Sequence, residues 1–339
     1  MEFYSRRIKN RKWSVLVISL VTAGFIITFG YEDNVSAKTA ELKKVTIVLD
    51  WVINTNHTGI YVAKDNGYFK DEGLDVAIEF PPEIGAESLI VSGAAQFGVS
   101  HQEAVTLARV KGVKLKALAA IIQHNTSGFA ARKTAAINRP KDFEGKTYGG
   151  WGSPIEVATL KALMERDNGD YNKIKQVSIG SMGFFAATSA GIDFVWIFQG
   201  WDGVAAKIRG IDISFISLRE MEPALDYYTP LIIASDKYIA KHPDIVRKLI
   251  KALSRGYEFC IENPEKAADI LLASAPELDR KLVVGSQKFL AGQYKADAPR
   301  WGEMKLSVWI NYANWLDKYN QLEGVFEPES AFTNEFLPE

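Results

Sequence analysis

The chain has 339 residues, 47% of them hydrophobic and 24% charged, with a formal net charge of −1. This is ordinary globular composition, long enough for one large or two medium domains. The near-neutral balance offers no basic face to a polyanion and excludes nucleic acid as a partner, and a lone cysteine, Cys260, excludes a disulfide within the chain.

The first segment reads as an address. Arg6, Arg7, Lys9, Arg11 and Lys12 precede a run from Trp13 to Phe29 that is apolar apart from scattered Ser, Thr and Gly, and Val35-Ser36-Ala37 offers small residues for cleavage. Residues 1–37 are therefore expected to be a signal peptide or, if retained, an N-terminal anchor. No lipobox Cys follows the apolar run. An exported protein of this kind is free in a periplasm, secreted, or tethered by its own leader.

Beyond a polar linker, apolar runs and helical patterns alternate. Val45 to Leu49 predicts a buried strand, Tyr61 to Asp65 a helix ended by Asn66-Gly67, and Val76 to Phe80 a second strand stopped by Pro81-Pro82. Gly85 to Ser92 reads as helix, Phe97 to Val99 as strand, Gln102 to Lys111 as helix and Lys116 to Ile122 as strand. In the middle, Lys146 to Gly149 and Asp193 to Ile197 predict strands, each followed by a glycine-rich turn ("GGWGSP", "FQGWDG") and a helix; Phe215 to Leu218 adds another strand. From Pro243 the pattern is helical, with a stop after Glu262-Asn263 and a further amphipathic stretch from Trp301 to Tyr319.

Short strands separated by helices imply βαβ units and parallel sheets. Ser127 to Lys133 and Thr229 to Ser235 bracket the middle block and are read as paired crossovers. The fold class is thus α/β, with two lobes joined by two crossover strands: residues 44–130 plus 233–339 form the first lobe and 131–232 the second. Open α/β sheets bind ligands in the crevice at the carboxyl ends of their strands.

The loops at those strand ends are aromatic and polar. Asp50, Trp51, Asn54, Asn56 and His57 follow the first strand, with Tyr61 on the next helix. Ser100, His101 and Glu103 follow the third strand, and Gln123 to Ser127 the fourth. The second lobe supplies Trp151, Gly152, Ser153, Pro154 and Glu156, then Trp196, Gln199, Trp201 and Asp202, and finally Tyr227 and Tyr228 beside the return crossover. In "GGWGSPIE", Ser153 suits an N-cap, Pro154 the first helical position and Glu156 the first turn. That could be a capped helix and nothing more, but capping leaves Trp151 on a glycine-flanked tip unexplained. The turn matches neither nucleotide-binding glycine pattern.

Catalysis has little support. His57, His101 and His124 show no i, i+4 helical spacing and no Cys lies near them, so neither a metal nor a cofactor is expected. Ser100, His101 and Asp50 lack a nucleophile elbow. Indoles with carboxylates and amides fit a small planar heterocycle, stacked by the rings and read along its edge by the polar groups.

"LDWVINTNHTGIYVAKDNGYFKDEGLDVAIEFP", "SGAAQFGVS", "GGWGSPIE" and "VWIFQGWDG" resemble the thiamine-precursor branch of the periplasmic-type solute-binding proteins. The resemblance covers Val45 to the C-terminal helices and implies a type II periplasmic-binding-protein fold. It implies a monomeric, non-enzymatic receptor that captures N-formyl-4-amino-5-aminomethyl-2-methylpyrimidine for thiamine salvage and presents it to ABC permease subunits. Hydroxymethylpyrimidine, riboflavin and an organosulfonate are the alternative ligands, and a pyrimidine-synthesising enzyme the alternative activity. The absence of Arg from the proposed loops counts against a sulfonate. Ser100 and Ala104 stand where the fungal synthases of the branch are expected to place Lys and His, which counts against synthesis.

Overall fold

The structure, a computed structural model, describes residues 41–80, 85–180 and 182–339. The expected leader over 1–37 and the Pro81-Pro82 stop lie outside the described residues. Among the described residues no helix is long and apolar enough to cross a membrane.

Ten strands are described: β1 (Lys43–Val48), β2 (Leu74–Glu79), β3 (Phe97–Ser100), β4 (Leu115–Ala120), β5 (Ser127–Arg132), β6 (Thr147–Gly150), β7 (Lys175–Ser178), β8 (Phe194–Phe198), β9 (Ile213–Ser217) and β10 (Leu231–Ser235). They build two five-stranded sheets, ordered β2-β1-β3-β10-β4 and β7-β6-β8-β5-β9. Both sheets follow one plan. Three strands run parallel, and the fourth in order, β10 or β5, is antiparallel to both neighbours. This is the type II periplasmic-binding-protein architecture that the sequence leads one to expect.

The expected crossovers are placed differently in detail. Ser127–Arg132 is β5, inside the second sheet, and Leu231–Ser235 is β10, inside the first. The boundaries expected at 130/131 and 232/233 therefore fall within strands, and the chain passes between sheets over 121–126 and 226–230. An apolar segment says that it will pair but not with which sheet, because both offer the same hydrogen-bonding edge.

Helices connect the strands. In the first half are α1 (Thr58–Asp65), α2 (Tyr68–Asp71), α3 (Ala86–Ser92), α4 (Gln102–Val110), α5 (Pro154–Arg166) and α6 (Phe184–Ser189). After them come α7 (Val204–Ile208), α8 (Leu218–Met221), α9 (Asp236–Lys241), α10 (Pro243–Glu262), α11 (Pro264–Ser274), α12 (Arg280–Ala291), α13 (Leu306–Lys318) and α14 (Pro328–Ala331). The first sheet's core gathers Ile47, Phe97, Ile232, Leu249 and Leu253, all 0% exposed; the second's gathers Phe129, Phe143 and Phe194, with Phe143 and Phe194 stacked at 4.1 Å.

The longest helix, α10, crosses α1 at a point where both carry glycine. A Cβ on Gly256 would lie 2.1 Å from the Gly59 carbonyl oxygen, and one on Gly59 would lie 2.4 Å from the Tyr257 ring. Only backbones without side chains approach this closely.

Two C-terminal helices touch both lobes. On α13, Trp309 belongs to the first lobe's core and stacks on Phe332, while Tyr312, Trp315 and Leu316 belong to the second lobe's core. On α12, Leu290 and Phe289 press against the second-lobe turn at Gly200, where an added Cβ would meet Leu290 Cδ2 at 3.0 Å. Heptad-like spacing shows that such a helix has an apolar face, but not that the face changes partner halfway along.

Candidate functional site

The loop after β1 holds its shape through its own polar groups. Asn54 caps the turn at 55–57: its Oδ1 accepts from Asn56 N at 2.9 Å, and its N–H donates to His57 Nδ1 at 3.3 Å. That donation leaves the ring proton on Nε2, which donates to Asp50 Oδ1 at 2.7 Å. Tyr257 OH donates to the Asn56 carbonyl and Tyr294 OH to the Thr55 carbonyl, fixing the loop on α10 and the chain after α12. His57 is fully buried and the Asn54 side chain is engaged in capping, so these two brace the loop instead of facing a ligand; Asn56 gives only its backbone N–H and carbonyl to the bracing, and its side chain is half-buried. What the bracing presents is Trp51, 56% exposed at the tip, with the Asp50 side chain 31% exposed beneath it. Burial pushes the Asp50 carboxyl up, but the His57 hydrogen bond and the nearby His57 and His101 rings bring it below its ordinary value.

Three other expected contacts are also engaged elsewhere. Tyr61 packs on the first lobe's core, close enough to Glu277 to feel its charge, on a helix that lies against α11. Ser100 is buried and donates to Glu87. Tyr228 is 2% exposed; its OH accepts from Lys305 N and its N–H donates to Gln102 Oε1.

The second lobe's wall is formed by the turn after β6 and the turn after β8. Gly152 adopts φ +91°, which lets the chain double back so that Trp151 stands 53% exposed on the rim. Below it Glu156 is 2% exposed and held on all sides. Its Oε2 accepts from Gly152 N at 2.7 Å, Ser153 N at 2.8 Å and Trp151 N at 3.1 Å; its Oε1 accepts from Tyr148 OH at 2.5 Å and Trp151 N at 3.1 Å. Gly150 makes room for this, since a Cβ there would lie 2.4 Å from Glu156 Oε1. Glu156 therefore leaves the set of acceptors open to a ligand. Burial and the Glu156 charge keep the Tyr148 phenol protonated.

Two cavities flank the Gly150–Trp151 ridge. One, of about 310 Å³, lies between the start of α5 and β7 and is lined by Ser153, Pro154, Glu156, Gln176 and Ser178 among others. The other, about 80 Å³, is lined by Trp151, Trp196, Met182, Phe184 and Asp202. Trp151 and Trp196 meet at 5.4 Å between ring centroids, tilted by 60°. Asp202 sits in a five-residue π turn, Gln199–Gly203. Burial pushes its carboxyl up to about 6, while backbone N–H groups and Arg209 hold it from rising further. Gln199 is exposed beside it, whereas Trp201, from the same turn, packs onto the first lobe's core and joins the lobes. Among the described residues neither of these two cavities is lined by Trp51, Lys or Arg.

The lobes nonetheless face one another at this level. His101 bears on both Asp50 and Glu103, and Glu103 in turn feels Glu156 across the lobe boundary. Burial pushes the Glu103 carboxyl up, against the pull of His101 and Tyr312. Gln123, in the first connecting segment, is 6% exposed and its Nε2 has no protein partner. The two cavities bring together Trp151, Gly152, Ser153, Pro154, Glu156, Trp196 and Asp202 of the second lobe, whereas Asp50, Trp51, Gln123 and Gln199 stand at strand ends and line neither. Met182, Phe184, Gln176 and Ser178 escaped the sequence reading, because 175–189 holds an exposed edge strand and a short helix with weak periodicity. No three His, Cys, Asp or Glu side chains among the described residues gather to hold a metal ion.

Comparison with known proteins agrees with the fold. The pattern of a family described as NMT1/THI5 like matches residues 54–267. A formylaminopyrimidine-binding protein of Halalkalibacterium halodurans is 28% identical over 95% of this chain and 98% of its own length. A riboflavin-binding protein of Chloroflexus aurantiacus is 25% identical over 88% and 87%. A 4-amino-5-hydroxymethyl-2-methylpyrimidine phosphate synthase of Legionella pneumophila is 23% identical over 87% and 93%. Among solved structures, the periplasmic aliphatic sulphonate binding protein of Escherichia coli has a TM-score of 0.66 at 12% identity, covering 85% of this chain and 91% of its own. The periplasmic nitrate-binding protein of Synechocystis has a TM-score of 0.67 at 11% identity, covering 87% of each. These two likenesses establish the fold alone.

Proposed function

We propose, from the premise that the chain belongs to the NMT1/THI5-like family, that it is an exported, non-enzymatic solute-binding protein. It captures a 4-aminopyrimidine thiamine precursor, N-formyl-4-amino-5-aminomethyl-2-methylpyrimidine, and delivers it to an ABC permease. The observation that carries this reading is the Trp151–Trp196 pair, which lines one cavity together with Asp202 at the strand ends of the second sheet.

An aminopyrimidine is flat, apolar on its faces and polar along its edge. Tilted indoles supply face contact, worth about 0.5–1.5 kcal/mol per ring beyond area burial. A carboxyl that titrates near 6 accepts from the exocyclic amine when ionised and donates to a ring nitrogen when protonated. Gln123, Ser153 and Gln199 orient the substituents, with Gly152 and Pro154 framing the rim. Bending about 121–126 and 226–230 brings Trp51 and Asp50 over the ring from the other lobe. The relative named for formylaminopyrimidine supports this ligand at nearly full length. Ser100 and Ala104, which stand where the fungal synthases of the branch are expected to place Lys and His, count against synthesis as the activity of this chain.

Calorimetric titration with the formylated aminopyrimidine tests the proposal. Saturable heat with quenching of tryptophan fluorescence is expected, weakened at least tenfold in Trp151→Ala. No heat at millimolar ligand refutes it, and tighter binding of riboflavin would transfer the protein to that ligand class.

A further inference from the structure

The turn that leads into α5 is built as an anion cradle and is already full. Three successive N–H groups, of Trp151, Gly152 and Ser153, converge on one carboxylate, and that carboxylate is the protein's own. Free N–H groups at a helix start, with the helix dipole behind them, attract phosphate, sulfate or carboxylate. Here Glu156, three residues into the same helix, folds back and takes every one, with Tyr148 OH as a fourth donor. Gly150 and Gly152 are what allow it: a side chain on the first would collide with the carboxylate, and the second turns at φ +91°.

The consequence reaches the ligand because Glu156 lines the 310 Å³ cavity. A ligand entering there finds the N–H groups already taken, where a vacant helix start would present free donors and positive potential. Glu103, from the first lobe, is near enough to Glu156 to feel its charge, and it is of the same sign. Arg209 reaches Asp202, His101 faces Asp50 and Glu103, and His57 bonds Asp50, but among the described residues no Lys or Arg lines either cavity. Solved proteins of the same fold are named for sulphonate and nitrate, both anions, so the architecture itself does not forbid anionic ligands.

We propose that Glu156 is a specificity-determining residue that fills the α5 anion cradle and thereby restricts the cleft to neutral or cationic heterocycles, rejecting their phosphate, sulfonate and carboxylate derivatives. This rests on the reading of the cleft as a pyrimidine site.

The test compares an aminopyrimidine alcohol with its phosphate monoester on wild-type protein, Glu156→Ala and Glu156→Gln, together with thermal melts in sodium sulfate and sodium formate at constant ionic strength. Wild type is expected to bind the alcohol at least about 100-fold more tightly than the ester, since opposing a like charge across a desolvated contact costs several kcal/mol. In Glu156→Ala that ratio falls to about tenfold or less, and formate or sulfate raises its melting temperature while leaving wild type unmoved. A ratio unchanged in a folded Glu156→Ala overturns the inference, as does failure of both anions to stabilise that variant. If the alanine variant does not fold, Glu156→Gln keeps the volume without the charge. Its ratio must then fall by about tenfold, and an unchanged ratio overturns the inference. The melts need no pyrimidine. Wild type that binds neither pyrimidine refutes the ligand reading, while anion rescue of Glu156→Ala still decides whether the cradle is one.

Discussion

His124 joins the two segments that connect the lobes, and removing it should cost stability in a pH-dependent way. It lies in the first connector; Asp226, in the second, receives its Nδ1 proton at 2.7 Å, and Asp297, in the C-terminal block, receives its Nε2 proton at 2.9 Å. Asp226 also accepts from Asn125 N at 2.9 Å, and Lys305 Nζ approaches Asp297 at 3.2 Å. Because both ring nitrogens donate, the bridge needs the imidazolium. The hydrogen bond to Asp226 raises the His124 value above normal, against burial, with Asp297 adding to the rise. The His124 and Asp226 side chains are 31% and 28% exposed, so their charge-assisted bond falls at the lower end of the usual range, about 1.5 kcal/mol. Asp297 is 60% exposed, which places the second bond at about 0.5 kcal/mol.

His124→Ala should therefore cost about 2 kcal/mol at pH 5.5. A group whose folded value is raised stabilises fully below its unfolded value, near 6.5, and loses that stabilisation as pH climbs through the folded value. By pH 8.5 the cost of the substitution should shrink to about 1 kcal/mol or less, the part owed to neutral hydrogen bonding and packing. Urea denaturation across this range, in a double-mutant cycle with Asp226→Asn, measures it. A cost that is equal at pH 5.5 and 8.5, or a coupling energy below about 0.3 kcal/mol, would refute the bridge.

Gly256→Ala should destabilise the protein by about 3 kcal/mol, because the new methyl meets the Gly59 carbonyl and the two helices must part; a loss below about 1 kcal/mol in urea denaturation would show that they slide freely. Cys260 is fully buried, with its thiol pushed well above the ordinary value by burial, so a thiol reagent should label it only at the rate of unfolding, and rapid stoichiometric labelling of native protein would contradict that. Asp202→Asn should raise the melting temperature at pH 8 but not at pH 4. Burial lifts the Asp202 carboxyl to about 6, so its ionised form is a cost borne above that value and relieved as pH falls through it. An equal effect at both pH values would remove the desolvation explanation.

The two indoles Trp151 and Trp201 show where sequence reading stops. Each follows a glycine in a glycine-rich turn after a buried strand, Gly150-Trp151-Gly152 and Gly200-Trp201-Asp202-Gly203, and nothing local says which will be exposed. Trp151 stands in the cleft; Trp201 is pressed onto the opposite lobe beside α12. His57, Ser100 and Tyr228 tell the same story with polar groups. Their partners lie 7, 13 and 77 residues away, and a side chain whose donors and acceptors are engaged looks identical in sequence to one left open. Glu156 differs in part, because a capping role is legible in Ser153-Pro154-Ile155-Glu156, although the depth of its burial is not.

Local chemistry was enough to set every described strand except β7, the glycine turns, the loops at strand ends and hence the bilobal α/β plan, since periodicity and turn geometry act within a few residues. Tertiary packing alone decided which of those loop side chains remain available, because availability depends on partners that the folded chain delivers from far along its length. It also decided that β5 and β10 belong inside sheets and that α13 serves two cores at once, since an apolar face states only that it must be covered and leaves the covering to geometry.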